Sequence, residues 1–373
     1  MHIAIDARIL GTTTGTLADR LLHHLQAIAG DHRFDVLLNR EHADSWTPHA
    51  ANFTKHLVDV PFNSLAEQTQ LRRVLAALQP DLIHFCSPQQ PLLFYRGRKV
   101  TTFHDLTQLR LRNPLRSAFV SGAKRAVGWP IARAVVRENA RIITPSAFTR
   151  DDVVRHLRAD PAKVAVIYEA AEIHPGELAP YEHPFARYLL YVGRHSAYKN
   201  VNRLCDAHQR LLADHPDFGL ILVGRKGVET EATERHCREH GYRNIVFTGY
   251  LPDAQRDWLY GNAAAYVFPS FAEGFGLPGL EAMGYGAPVI SSDATCLPEI
   301  YGDGALYFAP GDVDAMAGAI RQVIEDPQTR EHLIERGRAR VEVFSWARMA
   351  EETLRLYEQV AGTPTQGRNP TAE

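Results

Sequence analysis

Two glutamates, Glu273 and Glu281, stand eight residues apart in the run Ser270-Phe-Ala-Glu-Gly-Phe-Gly-Leu-Pro-Gly-Leu-Glu-Ala-Met-Gly-Tyr-Gly-Ala-Pro-Val-Ile. A glycine-rich turn and a helix start lie between them. Upstream, residues 266–269 (Tyr-Val-Phe-Pro) read as the end of a buried strand. Pro278 suits the first turn of a helix, where its missing N–H is not needed. Gly274 to Leu277 is therefore a loop feeding a helix N-terminus. Such an end presents free N–H groups and a partial positive charge, which suit a phosphate. Glu281 then falls early in the helix, where a carboxylate can accept hydrogen bonds from sugar hydroxyls. A phosphate seat between two hydroxyl-binding carboxylates points to a nucleotide-sugar.

A second segment complements the first. In Tyr191-Val-Gly-Arg-His-Ser-Ala-Tyr-Lys-Asn, a strand ends at Val192, Gly193 turns, and two cations follow at Arg194 and Lys199. A diphosphate gains negative charge as its bond to a sugar breaks, and rigidly held cations stabilise that charge, usually a large catalytic effect. His104 and Asp105 follow a β-branched run at 99–103, so they end a strand and face the ligand crevice of a doubly wound sheet. By position, the strand ends at Gly224 and at Gly249-Tyr-Leu251 wall a base pocket.

These segments carry a specific resemblance. Glu273 and Glu281 with Gly-Phe-Gly-Leu-Pro between, followed by Ala282, Met283 and Gly286-Ala-Pro-Val-Ile, resemble the E-x7-E signature of family 4 retaining glycosyltransferases. The resemblance is dense from Tyr191 to Pro310 and looser in the first half. It implies a GT-B fold: two doubly wound Rossmann-like domains facing a central cleft, with a last helix crossing back to the first domain. It implies that Arg194 and Lys199 grip the diphosphate together with the helix end at Phe275, Gly276 and Leu277. Glu281 would hold the ribose, Glu273 and His104 the transferred sugar, and the backbone near Leu251 the base. Gly15, in the first strand-to-helix turn, matches one of two glycines usual there and is kept as a nucleotide-sugar contact; Leu17 stands where the second is common. Glu169, in Tyr168-Glu-Ala-Ala, stands where Asn-Gly is usual, so no contact is assigned to it. The acceptor would attack on the face the diphosphate leaves, and no metal or other cofactor is implied, because no Asp-x-Asp pair sits at a strand end.

The elements that must position these groups can be read from hydrophobic rhythm. Short apolar runs alternate with helical segments, as in parallel sheets covered on both faces. Strands are expected near 2–5, 34–38, 81–85, 99–103, 141–144 and 164–167, then near 188–192, 219–223, 245–247, 265–268, 287–290 and 306–308. Helices are expected near 15–29, 64–78, 116–138, 148–157, 200–214, 229–240, 253–260, 277–284, 312–325 and 328–341. The chain thus divides into an acceptor-side domain over 1–172, a proline-containing linker over 173–184 and a nucleotide-sugar domain over 185–345. An amphipathic helix over 346–361 belongs with the first domain, and the polar tail 362–373 reads as disordered.

Bulk properties narrow the class. A chain of 373 residues is long enough for two domains, and its net charge of −2 gives no bias toward nucleic acid. Four scattered cysteines without a C-x-x-C pair argue against a zinc site or a disulfide framework. No basic, apolar leader opens the chain and no run approaches a membrane span, so a cytoplasmic protein is expected. One stretch departs from this neutrality. Between Arg96 and Arg141 eleven Lys and Arg face only Asp105 and Glu138, interleaved with Leu109, Leu111, Leu115, Phe119, Val120, Val127 and Trp129. Such a stretch suits an anionic membrane surface or a pyrophosphate-linked lipid acceptor. The reading is a hexosyltransferase of cell-surface polysaccharide or glycolipid assembly. GDP-mannose is the favoured donor, with UDP-glucose or a UDP-N-acetylhexosamine behind it. A nucleotide-sugar epimerase of the same fold and a non-catalytic nucleotide- or glycan-binding relative are the alternatives.

Overall fold

The structure, a computed structural model, describes residues 1–362 except 13, 93–96, 112–117 and 175; the side chains of 118–121, 123 and 124 are outside that description. The tail expected to be disordered lies outside it from 363 onward.

Two parallel sheets organise the chain. The first holds seven strands: β1 (His2–Asp6), β2 (Arg33–Asn39), β3 (Phe53–Val58), β4 (Leu82–Phe85), β5 (Lys99–Thr102), β6 (Arg141–Thr144) and β7 (Val164–Val166), in the order β3-β2-β1-β4-β5-β6-β7. The second holds six: β8 (Tyr188–Val192), β9 (Gly219–Val223), β10 (Ile245–Gly249), β11 (Ala265–Phe268), β12 (Val289–Ser292) and β13 (Ala305–Phe308), in the order β10-β9-β8-β11-β12-β13. Every strand pair is parallel. Helices cover both faces, so the central strands are buried throughout; in β8 Leu189, Leu190 and Tyr191 are fully inaccessible. In each sheet the chain reverses its direction of travel once, between β1 and β4 and between β8 and β11. Loops leaving neighbouring strand ends diverge there and open a crevice.

Most expected elements form where the apolar rhythm put them; the short helices Thr107–Arg110 and Leu297–Tyr301 were not expected, and three larger elements differ. β3 was not expected. Its sequence, Phe-Thr-Lys-His-Leu-Val, is an edge strand with only its two ends buried, so it shows no apolar run. β12 starts two residues later than the apolar run suggested, because Pro288 has no N–H for the ladder; the strand ends on buried Ser291 and Ser292. The helix expected over 64–78 begins with a π-helical turn, Glu67–Leu71, before the regular Arg72–Leu78.

Among the described residues no helix or strand occupies the segment between β7 and β8. His174 within it is pinned to the second half, with its Nδ1 2.9 Å from Asp257 Oδ2. The last helix, Trp346–Gly362, packs on the first sheet. Its Tyr357 hydroxyl meets the buried His84 ring at 2.5 Å, and Arg98 donates to the Ala361 carbonyl at 2.7 Å. All four cysteines are buried free thiols. Among the described residues no helix is long and apolar enough to cross a membrane.

Candidate active site

The second sheet supplies the densest cluster. Two loops leave adjacent strands at its switch point: Gly193–Asn200 after β8 and Pro269–Gly276 after β11. Asn200 ties them together. Its backbone is left-handed, and its side-chain amide donates to the Pro269 and Pro310 carbonyls at 2.9 and 2.7 Å. The tie sets Lys199 against Glu273, with Nζ 2.7 Å from Oε1 and 2.9 Å from Oε2. The ammonium also lies 5.3 Å from the Phe268 ring centre and 5.4 Å from that of Tyr198. Burial works against its charge, but Glu273, with smaller help from the Tyr198 phenol and Asp105, outweighs burial, so Lys199 holds its proton more tightly than a free lysine.

Arg194 is freer. Its side chain is 60% exposed and 3.8 Å from Glu229, whose carboxylate also accepts from Ser196 Oγ at 2.7 Å. Both cations thus have a carboxylate neighbour, and the more exposed one can swing to a ligand.

The turn between the glutamates has a steric origin. Gly276 has φ +102°, and a Cβ there would stand 2.5 Å from the Tyr301 hydroxyl, which donates to the Gly276 carbonyl at 2.6 Å. The helix Leu277–Gly284 follows, with Pro278 in its first turn. Among the described residues no hydrogen bond takes up the N–H groups of Gly276 and Leu277. Glu281, on that helix, accepts from the Tyr260 hydroxyl at 3.2 Å. Burial raises its pKa above that of a free glutamate, with Arg256 opposing. Leu251 is buried just beyond β10. The Phe275 ring is buried against Tyr168 and Phe344, so Phe275 can offer a ligand only its backbone.

On the first sheet, His104 follows β5. Its Nε2–H donates to the Cys86 carbonyl at 2.9 Å, and Nδ1 lies 3.7 Å from Glu169. Burial alone would lower the His104 pKa; the Glu169 carboxylate outweighs it and raises the pKa above that of a free histidine. Asp105 accepts from the Thr107 N–H at 2.6 Å and lines the cleft beside Glu273. Gly15 begins the helix Thr16–Ile28, its N–H donating to the Thr12 carbonyl at 3.1 Å. Among the described contacts none joins Gly15 to the second sheet.

His104 and Glu273 come from different sheets, and Gly274 brings them together. A Cβ on Gly274 would stand 1.9 Å from the His104 carbonyl oxygen, so the two loops touch backbone to backbone. Of the expected residues, Arg194, Lys199, Glu273, Gly276, Leu277 and Glu281 gather at one switch point, and His104 meets them across the crevice. Three residues in this arrangement carried no assigned role in the sequence: Glu169, Glu229 and Tyr301. Glu169 stands where the resemblance fails, and that departure was its one signal. The basic stretch is smaller than its count suggested. The Lys99 ammonium is 2% exposed and pairs with Glu138 at 3.0 Å, and Arg110 pairs with Asp152, so neither adds a free surface charge. Arg96, Arg112, Arg116 and the Lys124 side chain lie outside the described residues.

Comparison with known proteins bears on this geometry. Residues 182–340 match the family model described as "Glycosyl transferases group 1", and residues 57–173 match "Glycosyltransferase Family 4". The chain is 34% identical to the O-antigen chain mannosyltransferase B of Escherichia coli over 275 residues, 70% of each chain. Among solved structures it is similar to sucrose-phosphate synthase from Thermosynechococcus elongatus, with TM-score 0.76 and 21% identity over 96% of this chain and 99% of that one. It is also similar to the Anabaena protein HepE in complex with UDP-glucose, with TM-score 0.72 and 17% identity over 96% of this chain and 100% of that one. The structural likenesses show the fold, the two-unit α/β arrangement called GT-B.

Proposed function

The chain belongs to the family 4 glycosyltransferases, and we propose that it is a retaining, metal-independent hexosyltransferase that moves mannose from GDP-mannose to a glycan or lipid-linked acceptor. The mannosyl reading is supported by its similarity to the O-antigen chain mannosyltransferase B. A UDP-sugar donor is the second reading, favoured by the likeness to HepE with UDP-glucose.

One observation carries the assignment: the Lys199–Glu273 pair lies at the switch point with His104 packed across from it. In the proposed reaction the diphosphate rests on the free N–H groups of Gly276 and Leu277. Lys199 and Arg194 neutralise its charge as the sugar–oxygen bond breaks. Glu281 accepts from the ribose, and Glu273 and His104 hold the hydroxyls of the transferred sugar. The acceptor hydroxyl enters on the face the diphosphate leaves, and the departing phosphate oxygen takes its proton. Thermal-shift screening against GDP, UDP and dTDP tests the donor. A nucleotide at 100 times its Kd adds about 2.7 kcal/mol of stability. NMR of the product's anomeric proton then tests retention; an inverted product refutes it.

Membrane attachment belongs to the same reading. On the helix Ala118–Glu138, Val127 and Ile131 are 61% and 47% exposed beside the exposed Arg125, Arg133 and Arg137. Apolar side chains flanked by cations suit an anionic bilayer surface, where each cation is worth about 1 kcal/mol. The chain should cosediment with anionic liposomes at low salt and release as salt rises. Equal binding to neutral liposomes, or none to either, refutes this part. The reading places the enzyme in the cytoplasm, on the inner face of the membrane.

A further inference from the structure

We propose that Glu299 is a positioning residue for the transfer, a latch that holds the Glu273 loop against His104. The inference rests on the glycosyltransferase reading above. Glu299 lies on the short helix Leu297–Tyr301 of the second half, and its own carbonyl accepts from Arg340 at 2.5 Å. Its carboxylate reaches across to the first half. Oε1 accepts from the Ala147 N–H at 2.7 Å and from the Tyr168 hydroxyl at 3.0 Å, and Oε2 accepts from the Phe148 N–H at 2.9 Å.

Ala147 and Phe148 are the first two residues of the helix Ala147–Leu157. A helix start carries unsatisfied N–H groups and a partial positive charge, so a carboxylate there is favoured twice, by hydrogen bonding and by the dipole. The third N–H, that of Thr149, is taken by its own cap, Ser146 Oγ, at 3.1 Å. The two N–H groups that the helix leaves open locally are thus the ones Glu299 fills from the other half.

The same helix end holds the catalytic loop. Ser146 Oγ lies 2.7 Å and Thr149 Oγ1 3.3 Å from the Gly274 carbonyl, as donors. Gly274 follows Glu273 directly and touches the His104 backbone. Glu299 therefore seats the helix start, and the helix start seats the Glu273 loop. The latched arrangement also shapes a small cleft of about 60 Å³ in which Phe148, Thr149 and Asp105 face Phe271, Glu273 and Thr295. The two walls of that cleft come from the two halves of the chain, and Glu299 ties them together at Ala147 and Phe148. Apart from Gly15, the residues assigned above to the nucleotide lie on the second half, so the latch should govern turnover and leave nucleotide affinity intact.

The test uses the full chain and Glu299→Gln, which keeps the shape and removes the charge. Hydrolysis of GDP-mannose or of UDP-glucose, whichever the unaltered protein turns over, should fall by at least about tenfold, as a displaced reacting geometry implies. The Kd of the matching nucleoside diphosphate should stay within about twofold, since binding that is uniform along the reaction is untouched. Ser146→Ala with Thr149→Val should give the same split. Hydrogen exchange of the segment 146–150 supplies a readout independent of turnover. The Ala147 and Phe148 amides should be protected in the unaltered protein and exchange faster in Glu299→Gln. Unchanged turnover, or a nucleotide affinity that falls as far as the rate does, overturns the proposal. So does unchanged exchange. If the unaltered protein turns over neither donor, the functional reading fails, while the exchange result still decides whether the latch exists.

Discussion

Replacing Gly274 with alanine should separate catalysis from nucleotide binding. The new Cβ would meet the His104 carbonyl oxygen at 1.9 Å, its carbon at 2.9 Å and Asp105 Cβ at 3.1 Å. Two of the three are backbone atoms at the end of β5, so no side-chain rotation relieves the clash. Carbon and oxygen do not approach closer than roughly 3.4 Å without repulsion, so the loops must part by about 1.5 Å. Parting them also stretches the bonds from Ser146 and Thr149 to the Gly274 carbonyl, each worth about 1 kcal/mol. A misplacement of about 1 Å at a reacting centre can lower the rate by ~10²-fold, so kcat should fall by at least that factor. Arg194, Lys199, Glu281 and the N–H groups at Gly276 and Leu277 lie outside the clash, so nucleotide Kd should hold within about threefold. Steady-state release of the nucleoside diphosphate gives kcat, and a thermal-shift titration gives Kd. An alanine variant with unaltered kcat would show that His104 and Glu273 need not meet. A variant that loses nucleotide affinity as far as turnover would show that the donor seat spans both halves.

Three further outcomes follow from the site and the core. Lys199→Ala and Arg194→Ala should each lower turnover by on the order of 10²-fold or more, while activity survives EDTA; loss in EDTA that magnesium or manganese restores would overturn the charge assignment. Glu281→Gln should weaken nucleotide binding by roughly ten- to a hundredfold, from a charged hydrogen bond worth about 1.5–3 kcal/mol, and should leave kcat nearly unaltered; calorimetry reads both arms. His195 is buried, neither ring nitrogen finds a partner among the described residues, and burial lowers its pKa from 6.5 to about 4. It stays neutral in the fold and charges on unfolding, so its contribution is complete above its unfolded pKa and is lost as pH falls toward 4, at about 1.4 kcal/mol per pH unit. Urea unfolding at pH 7 and pH 5 should therefore show a smaller acid loss for His195→Leu; equal losses would mean that the ring titrates normally.

Much of the fold was legible because parallel strands buried on both faces must be short apolar runs. Leu189-Leu-Tyr and Leu220-Ile-Leu announce themselves in that way. The elements that escaped lie where that logic fails. β3 borders solvent and carries Lys55 and His56 at its middle, and the start of β12 is decided by Pro288 rather than by hydrophobicity. The first half also hides a buried charge cluster. Arg8 is fully enclosed, paired with Asp6 at 2.7 Å and Glu67 at 3.0 Å, and its partners sit on β1 and on a helix far along the chain.

The same distinction divides the site. Arg194, Lys199, Glu273 and Glu281 are legible because each pair lies on one contiguous segment, where spacing fixes geometry. A strand end, a turn and a helix start translate five or eight residues of sequence into one face of a crevice. Glu299 has no such translation: its partners at Ala147 and Phe148 are 152 and 151 residues away. Glu169 and His104 are likewise brought together only by the adjacency of β5, β6 and β7. Nothing in the local composition marks a carboxylate as the one that will cap a distant helix. What marks it physically is the pairing demand of that helix. Ala147 and Phe148 present N–H groups that the local cap Ser146 does not take up, and partly buried donors of that kind are favoured to find an acceptor. Reading a sequence for the donors an element will leave unsatisfied, and then for acceptors at the facing strand ends, is the step by which residues such as Glu299 become legible.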